Sequence, residues 1–337
     1  MKMQEISASE LTDHETFMRK IAEPCLPIVL RGLVRDWPMT RTASESPQQL
    51  ADYLRRFDKG SMVEIFTGDA QNRGRYYYSD DLKQFNFERK HVKFGEALAA
   101  ILASPEARSV YLGSLPVEAY LSGLERENTL APIKPGAGPR IWIGHESNVA
   151  SHYDTLDNIA CVVAGARRFT LYAPTLIQDL YVGPIDHTMA GQPVSLAASS
   201  APGDPRYPRF EPIRDQALVA ELEAGDAIYI PKLWWHQVEA TSRFNVLMNY
   251  WWDAFSIGPD APSAGLLLSM LAIAERPLPE RLAWKAFFDH YVFRPERHPL
   301  EHLPPEQHGI LGPLKPHNYG KLRAFVMQLL RSEGRIV

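Results

Sequence analysis

Apolar residues fall into different textures along the chain. From residue 110 they come in short runs, at 110–112, 141–143, 159–163, 169–172, 227–230 and 244–250, each bounded by Gly, Pro or polar residues. Runs of that length, rich in Ile, Val, Tyr and Phe, predict β-strands, and many in succession predict a jelly roll. Upstream the texture is mixed. Residues 10–22 and 94–102 have helical spacing, while 27–32, 62–67 and 76–78 read as short strands, so an N-terminal α/β decoration should buttress the core. After Pro259 the spacing becomes helical again, at 261–275, 280–291 and 319–332.

This change of texture predicts two parts, a catalytic jelly-roll domain with its decoration over residues 1–258 and a helical extension over 259–337. Leu266, Leu267, Leu268, Met270 and Leu271 give the extension an apolar face. Such a face is covered either by the chain's own barrel or by a second copy, and a homodimer through these helices is one expectation. The Pro-, Gly- and Ser-rich stretch at 182–212 is longer than an ordinary connection and is expected to cover a substrate.

Composition narrows the classes of function. Hydrophobic residues make up 45% and charged residues 23%, as in an ordinary folded domain, so disorder is excluded. A formal charge of −4 without a Lys/Arg run makes nucleic acid an unlikely partner. Two cysteines, Cys25 and Cys161, exclude a disulfide framework and a four-cysteine zinc site, and they are expected as buried thiols in a reducing compartment. The opening residues lack the apolar stretch of a signal peptide, and residues 264–274 are too short to span a bilayer. A cytoplasmic location with no membrane partner follows as the expectation.

The chemistry sits in His152-Tyr153-Asp154 and, downstream, His236 in the string Gly225-Asp-Ala-Ile-Tyr-Ile-Pro-Lys-Leu-Trp-Trp-His236. In a strand, residues two apart project from one face, so His152 and Asp154 can meet one metal. Barrel closure would bring His236 to them. Two imidazoles and a carboxylate on one side of an octahedral ion leave three positions open, an arrangement suited to iron(II). His145 and His187 lie near the core in sequence without ligand spacing, and the tract His298, Glu301, His302, His308 is broken by prolines, which favours a solvated loop over a second metal.

Residues 141–252 resemble the JmjC and cupin-like 2-oxoglutarate oxygenases, and among them the asparaginyl hydroxylases. The segment from Pro27 to Trp37 resembles the opening strand and turn of such proteins, and Gly203 to Phe210 a loop before their last strands. The resemblance implies a mainly β double-stranded β-helix, with Fe(II) on His152, Asp154 and His236. It also implies that 2-oxoglutarate and dioxygen are co-substrates, and that a protein side chain or a small molecule is hydroxylated, modified RNA bases being an alternative. The family holds the distal carboxylate of 2-oxoglutarate with a Lys two residues after a Gly. Gly165-Ala-Arg167 stands here instead, and Arg can grip a carboxylate bidentately. Asn158, Tyr111 and Asn249 match polar positions lining the co-substrate pocket. The family's Thr just before the metal-binding His has no clear counterpart in residues 148–151.

Two rival readings share the ligands: a metal cupin that does not use 2-oxoglutarate, and a non-catalytic cupin binding module. Arg167 discriminates the first from the leading reading. Succinate production discriminates the second. Trp251 and Trp252 close the last core strand, where alternation lets one border the substrate cavity while the other packs outward, and core packing is the first expectation for both.

Overall fold

The computed structural model describes residues 3–331 except 70, 71, 73, 78–84, 104–107, 131, 132, 134–137, 186, 187, 189, 190 and 257. The chain divides into two compact units, Met1–Ala254 and Phe255–Val337. Strands of the first unit, numbered along the chain, are β1 (Gln4–Ser7), β2 (Ile28–Arg31), β3 (Met62–Asp69), β4 (Arg75–Tyr76), β5 (Phe87–Lys93), β6 (Arg108–Pro116) and β7 (Arg140–Gly144). Then come β8 (Ser147–His152), β9 (Asp157–Ala164), β10 (Ala166–Tyr172), β11 (Leu218–Glu223), β12 (Ala227–Ile230), β13 (Trp235–Ala240) and β14 (Asn245–Trp252). One sheet runs in the order β1, β2, β12, β9, β14, β7, β6, β3, β5, and the other in the order β11, β10, β13, β8, β4. Pairing is antiparallel except between β1 and β2 and between β4 and β8. This is a mainly β jelly-roll fold, as the succession of short apolar runs predicts.

Every residue of β9 is buried, because both faces of the strand are covered. Ile159, Cys161 and Val163 pack with Phe17, Ile21, Leu50 and Leu54 in a core between the large sheet and the N-terminal helices. Ala160 and Val162 face the other way and join Phe169, Leu171, Ile228 and Leu247 between the two sheets. β14 repeats the pattern: Val246, Met248, Tyr250 and Trp252 belong to the outer core, and Leu247 to the inner one. A continuous apolar run is thus two alternating faces, each with its own partner.

The helix Phe94–Leu102 lies where its spacing places it, and the first helical segment runs from His14 to Ala22. Helices Pro38–Glu45 and Pro47–Arg55 are absent from the sequence reading. Their signals are Pro at the first turn of each, Ser46 accepting from the Gln49 amide at 3.1 Å, and Leu50, Ala51 and Leu54 at helical spacing. Tyr78, the end of one expected strand, lies outside the described residues. Cys161 is buried as expected, but Cys25 is exposed, at a turn where its φ is +51°.

In the second unit the helices are Pro262–Ile273, Leu278–Phe288, continued to Phe293, and Pro316–Arg331. Asp260 accepts from the Tyr319 hydroxyl at 2.7 Å and from Arg323 Nε at 2.9 Å. The His298 and His308 rings stack at 4.4 Å, each with Nε2 on a backbone carbonyl, so both serve the loop structure. Among the described residues no helix is long and apolar enough to cross a membrane.

Candidate metal centre and cavity

His152 closes β8, and His236 lies directly opposite it on β13, with ring centroids 4.3 Å apart. Asp154 sits past the end of β8, so a turn, rather than strand alternation, brings its carboxylate back to the histidines. The Leu233 amide holds that turn by donating to the Asp154 carbonyl at 2.8 Å. Asp154 Oδ2 is 3.7 Å from His236 Nε2, and one ligand atom from each of the three residues lies within 4.8 Å of the others.

Both rings are oriented for coordination. His152 Nδ1 meets the Ala150 carbonyl at 2.8 Å and His236 Nδ1 meets the Trp234 carbonyl at 3.0 Å. A carbonyl only accepts, so each Nδ1 carries a proton and Nε2 is the ring atom left to serve as a ligand. Burial, assisted by the neighbouring His152, pushes the His236 pKa down to about 4, which keeps that imidazole neutral. Trp251 Nε1 donates to Asp154 Oδ2 at 3.0 Å and orients that carboxylate.

Arg167 enters the inner cavity from β10 on the facing side. The tight β9–β10 connection depends on Gly165, at φ +76°, where a Cβ would come within 2.4 Å of Asn245 Oδ1. Arg167 is 2% exposed; its guanidinium meets the Tyr111 hydroxyl, while Nε and Nη2 have no partner. Burial lowers its pKa from the usual arginine value, and burial raises that of Tyr111. A buried cation with two unsatisfied nitrogens is costly and fits an anionic ligand in the adjoining space.

Asn249 and Asn158 complete the floor. Asn249 Nδ2 donates to Asn158 Oδ1 at 3.0 Å, and Trp142 Nε1 donates to Asn249 Oδ1 at 2.7 Å. The cavity measures about 150 Å³ and is bounded by all seven residues singled out in the sequence. The structure therefore brings together His152, Asp154, His236, Arg167, Asn158, Tyr111 and Asn249.

Trp142 is not singled out from the sequence, and for Trp251 and Trp252 strand alternation leaves open that one borders the cavity while core packing is the first expectation for both. Trp142 alternates with the outward Ile141 and Ile143, a signal for an inward aromatic. Trp252 does pack in the outer core, 6.2 Å from the Phe17 ring, whereas Trp251 borders the cavity. Val194 pairs with His152, so the long 182–212 connection is tied to the end of β8, and Gln192 borders the cavity. His145 does not enter it: Nδ1 accepts from the Val110 amide at 3.0 Å and Nε2 donates to the Ile101 carbonyl at 2.7 Å. His187 lies outside the described residues.

A family model described as a cupin-like domain matches residues 14–257. The chain belongs to the cupin-like domain family. Jumonji C domain-containing protein 5 of Drosophila melanogaster is 32% identical over 254 residues, 71% of this chain and 57% of that protein. The bifunctional peptidase and (3S)-lysyl hydroxylase JMJD7 of Homo sapiens is 30% identical over 274 residues, 70% of this chain and 80% of that protein. The tRNA wybutosine-synthesizing protein 5 of Mus musculus is 34% identical over 102 residues, 30% of this chain and 29% of that protein. The chain thus spans less than two thirds of the fly and mouse relatives. These matches place it among the JmjC and cupin-like proteins.

Proposed function

We propose that this cupin-like chain is an Fe(II)- and 2-oxoglutarate-dependent hydroxylase acting on a protein side chain or a small molecule. The observation that carries the reading is the buried Arg167, whose two unpartnered nitrogens share a cavity with the His152, Asp154, His236 cluster. Two imidazoles and one carboxylate suit iron(II), and a buried guanidinium suits the distal carboxylate of a dicarboxylate. When bound, iron and 2-oxoglutarate supply the oxidation, in which one oxygen atom of dioxygen goes to succinate, one to a substrate C–H bond, and carbon dioxide is lost.

The chain's own residues bind, orient and exclude water. His152, Asp154 and His236 would hold the metal, and Trp251 would keep the Asp154 carboxylate turned toward it. Arg167 and Tyr111 would hold the co-substrate, with Asn158 and Asn249 fixed as a hydrogen-bonded pair beside it. Val149, Phe169, Val194, Val238 and Leu247 line the same space and keep it dry.

The test is anaerobic. Fe(II) and 2-oxoglutarate added to the full chain are expected to give the visible charge-transfer band of chelated co-substrate, weakened in Arg167→Met and lost in His236→Ala. A wild-type chain without the band, and without succinate release in air, would sink the reading.

We also propose a homodimer through the second unit. Leu266, Leu271, Trp284, Phe287 and Phe293 are exposed there, and no residue of Pro262–Ile273 or Leu278–Phe288 is buried. Light scattering should give twice the chain mass, and Leu271→Glu should shift it toward the monomer. A monomeric wild type would refute this part alone.

A further inference from the structure

Beyond the inner cavity lies a vestibule of about 640 Å³, bordered among others by Glu64, Arg89, Arg140, Asp154, Gln192 and Trp251. We propose that this vestibule selects a substrate bearing a carboxylate, gripped by Arg140 against the face of Trp251. The proposal rests on the reading of the inner cavity as the 2-oxoglutarate site, and it adds the chemical class of the molecule that is oxidised.

Arg140 opens β7 two residues before Trp142, so both project from one face. Its guanidinium is held in place: Nε donates to Ser114 Oγ at 2.6 Å and Nη2 to the Ser114 carbonyl at 2.8 Å. Ser114 presents both oxygens because it sits at an irregularity, where the β6–β7 register shifts between Leu112 and Leu115. Its φ is +57°, in the left-handed region that a serine seldom occupies. Bulges of this kind re-aim side chains and cluster at functional sites. Here the bulge spends a strained residue on fixing one arginine.

Among the described residues the fixed guanidinium has no counter-charge. Among the described residues no carboxylate lies within ion-pair distance of it, and burial alone moves its pKa, downward. The other vestibule charges are accounted for. Glu64 lies 3.9 Å from Arg89, which itself covers the Phe66 ring at 5.2 Å, and Asp154 belongs to the metal cluster. Nη1 and one hydrogen of Nη2 remain for a planar, two-oxygen acceptor.

Position ties this cation to the reaction. The guanidinium carbon is 5.9 Å from the Trp251 ring, and the Trp251 N–H is bonded to Asp154. A carboxylate on Arg140 would thus sit one indole's breadth from a metal ligand and place a nearby carbon at the mouth of the inner cavity. The carboxylate belongs either to a small acid or to an acidic residue of a peptide.

The experiment uses the anaerobic full chain with Fe(II) and saturating 2-oxoglutarate. It is titrated with matched pairs: free amino acids against their amides, and degenerate hexapeptide pools with a central Glu against pools with Gln. Tryptophan fluorescence and the charge-transfer band report binding, and succinate release after admission of air reports turnover. The carboxylate members of one set are expected to bind at least about tenfold more tightly than their neutral partners, as one charged hydrogen-bonded contact provides. Which set responds identifies the source of the carboxylate.

Arg140→Gln should reduce those members to the level of the neutral ones while leaving the band and the substrate-free succinate release at wild-type values. Arg140→Lys should restore part of the preference. Preference for neutral members, no preference in either set, or an unchanged preference in Arg140→Gln would overturn the proposal. If the wild type shows no band, the 2-oxoglutarate reading fails by itself, and the fluorescence titrations still decide the role of Arg140.

Discussion

Along β9 and β14 neighbouring residues serve opposite purposes. Ile159, Cys161, Met248 and Tyr250 face the helical layer, where the core is apolar and closely filled. Asn158, Asn249 and Trp251 face the cavity, opposite Arg167, where a buried cation is left with unsatisfied nitrogens. Packing on the outer face stabilises the fold. Under the proposed function the inner face gives up stability to hold a ligand, so the two faces of one strand should respond to substitution in opposite directions.

The largest effect is expected on the outer face. Phe17 is fully buried against Tyr229 and Trp252, and Phe17→Ala should cost about 3–5 kcal/mol in thermal or denaturant unfolding. A loss below about 1 kcal/mol would mean that this face is not the stabilising one.

Next comes His236, a proposed metal ligand on the inner face. His236→Ala should weaken Fe(II) or Co(II) binding by more than the roughly 10- to 100-fold lost when an outer hydrogen-bond partner of a ligand is removed, measured by calorimetry. Its unfolding free energy without metal should stay at or above the wild-type value, because a buried polar ring has been removed. Marked destabilisation would break the contrast between the faces.

Arg167→Met sharpens it further. Removing a buried cation with orphaned nitrogens should raise the stability of the ligand-free protein by about 1–3 kcal/mol. The same change should abolish the rise in melting temperature that 2-oxoglutarate produces in the wild type, a rise expected from ligand binding to the folded state alone. If Arg167→Met is less stable and still responds to 2-oxoglutarate, Arg167 is a structural residue.

The smallest effect concerns orientation. Trp251→Phe keeps an aromatic ring but removes the N–H that holds Asp154, so metal affinity should fall about tenfold with little change in unfolding. Cobalt(II) visible spectra would report the altered carboxylate. Unchanged affinity and spectrum would reduce Trp251 to a wall of the cavity.

Much of this site is legible because strand alternation and ligand chemistry are local. His152, Asp154 and His236 declare themselves as ligand types in β-rich surroundings, and Arg167 follows a glycine that the β9–β10 turn requires. Trp142, Trp251 and Arg140 are not legible in that way. An indole bordering a cavity and an indole filling a core look alike in sequence, as Trp251 and Trp252 do side by side. An arginine acquires meaning only when its counter-ions are known to be missing.

The sequence by itself determined the run of short strands, the helical texture after residue 259 and the residue types capable of holding iron and a carboxylate. Tertiary structure decided that His236 stands across from His152, that a turn carries Asp154 back to both, and that Arg140 lies beside Trp251 with no carboxylate paired to it among the described residues. The physical reason is range. A period of two is written into each strand by its own backbone, whereas the register between strands far apart in sequence, and the charges that meet there, exist only once the two sheets have closed on one another.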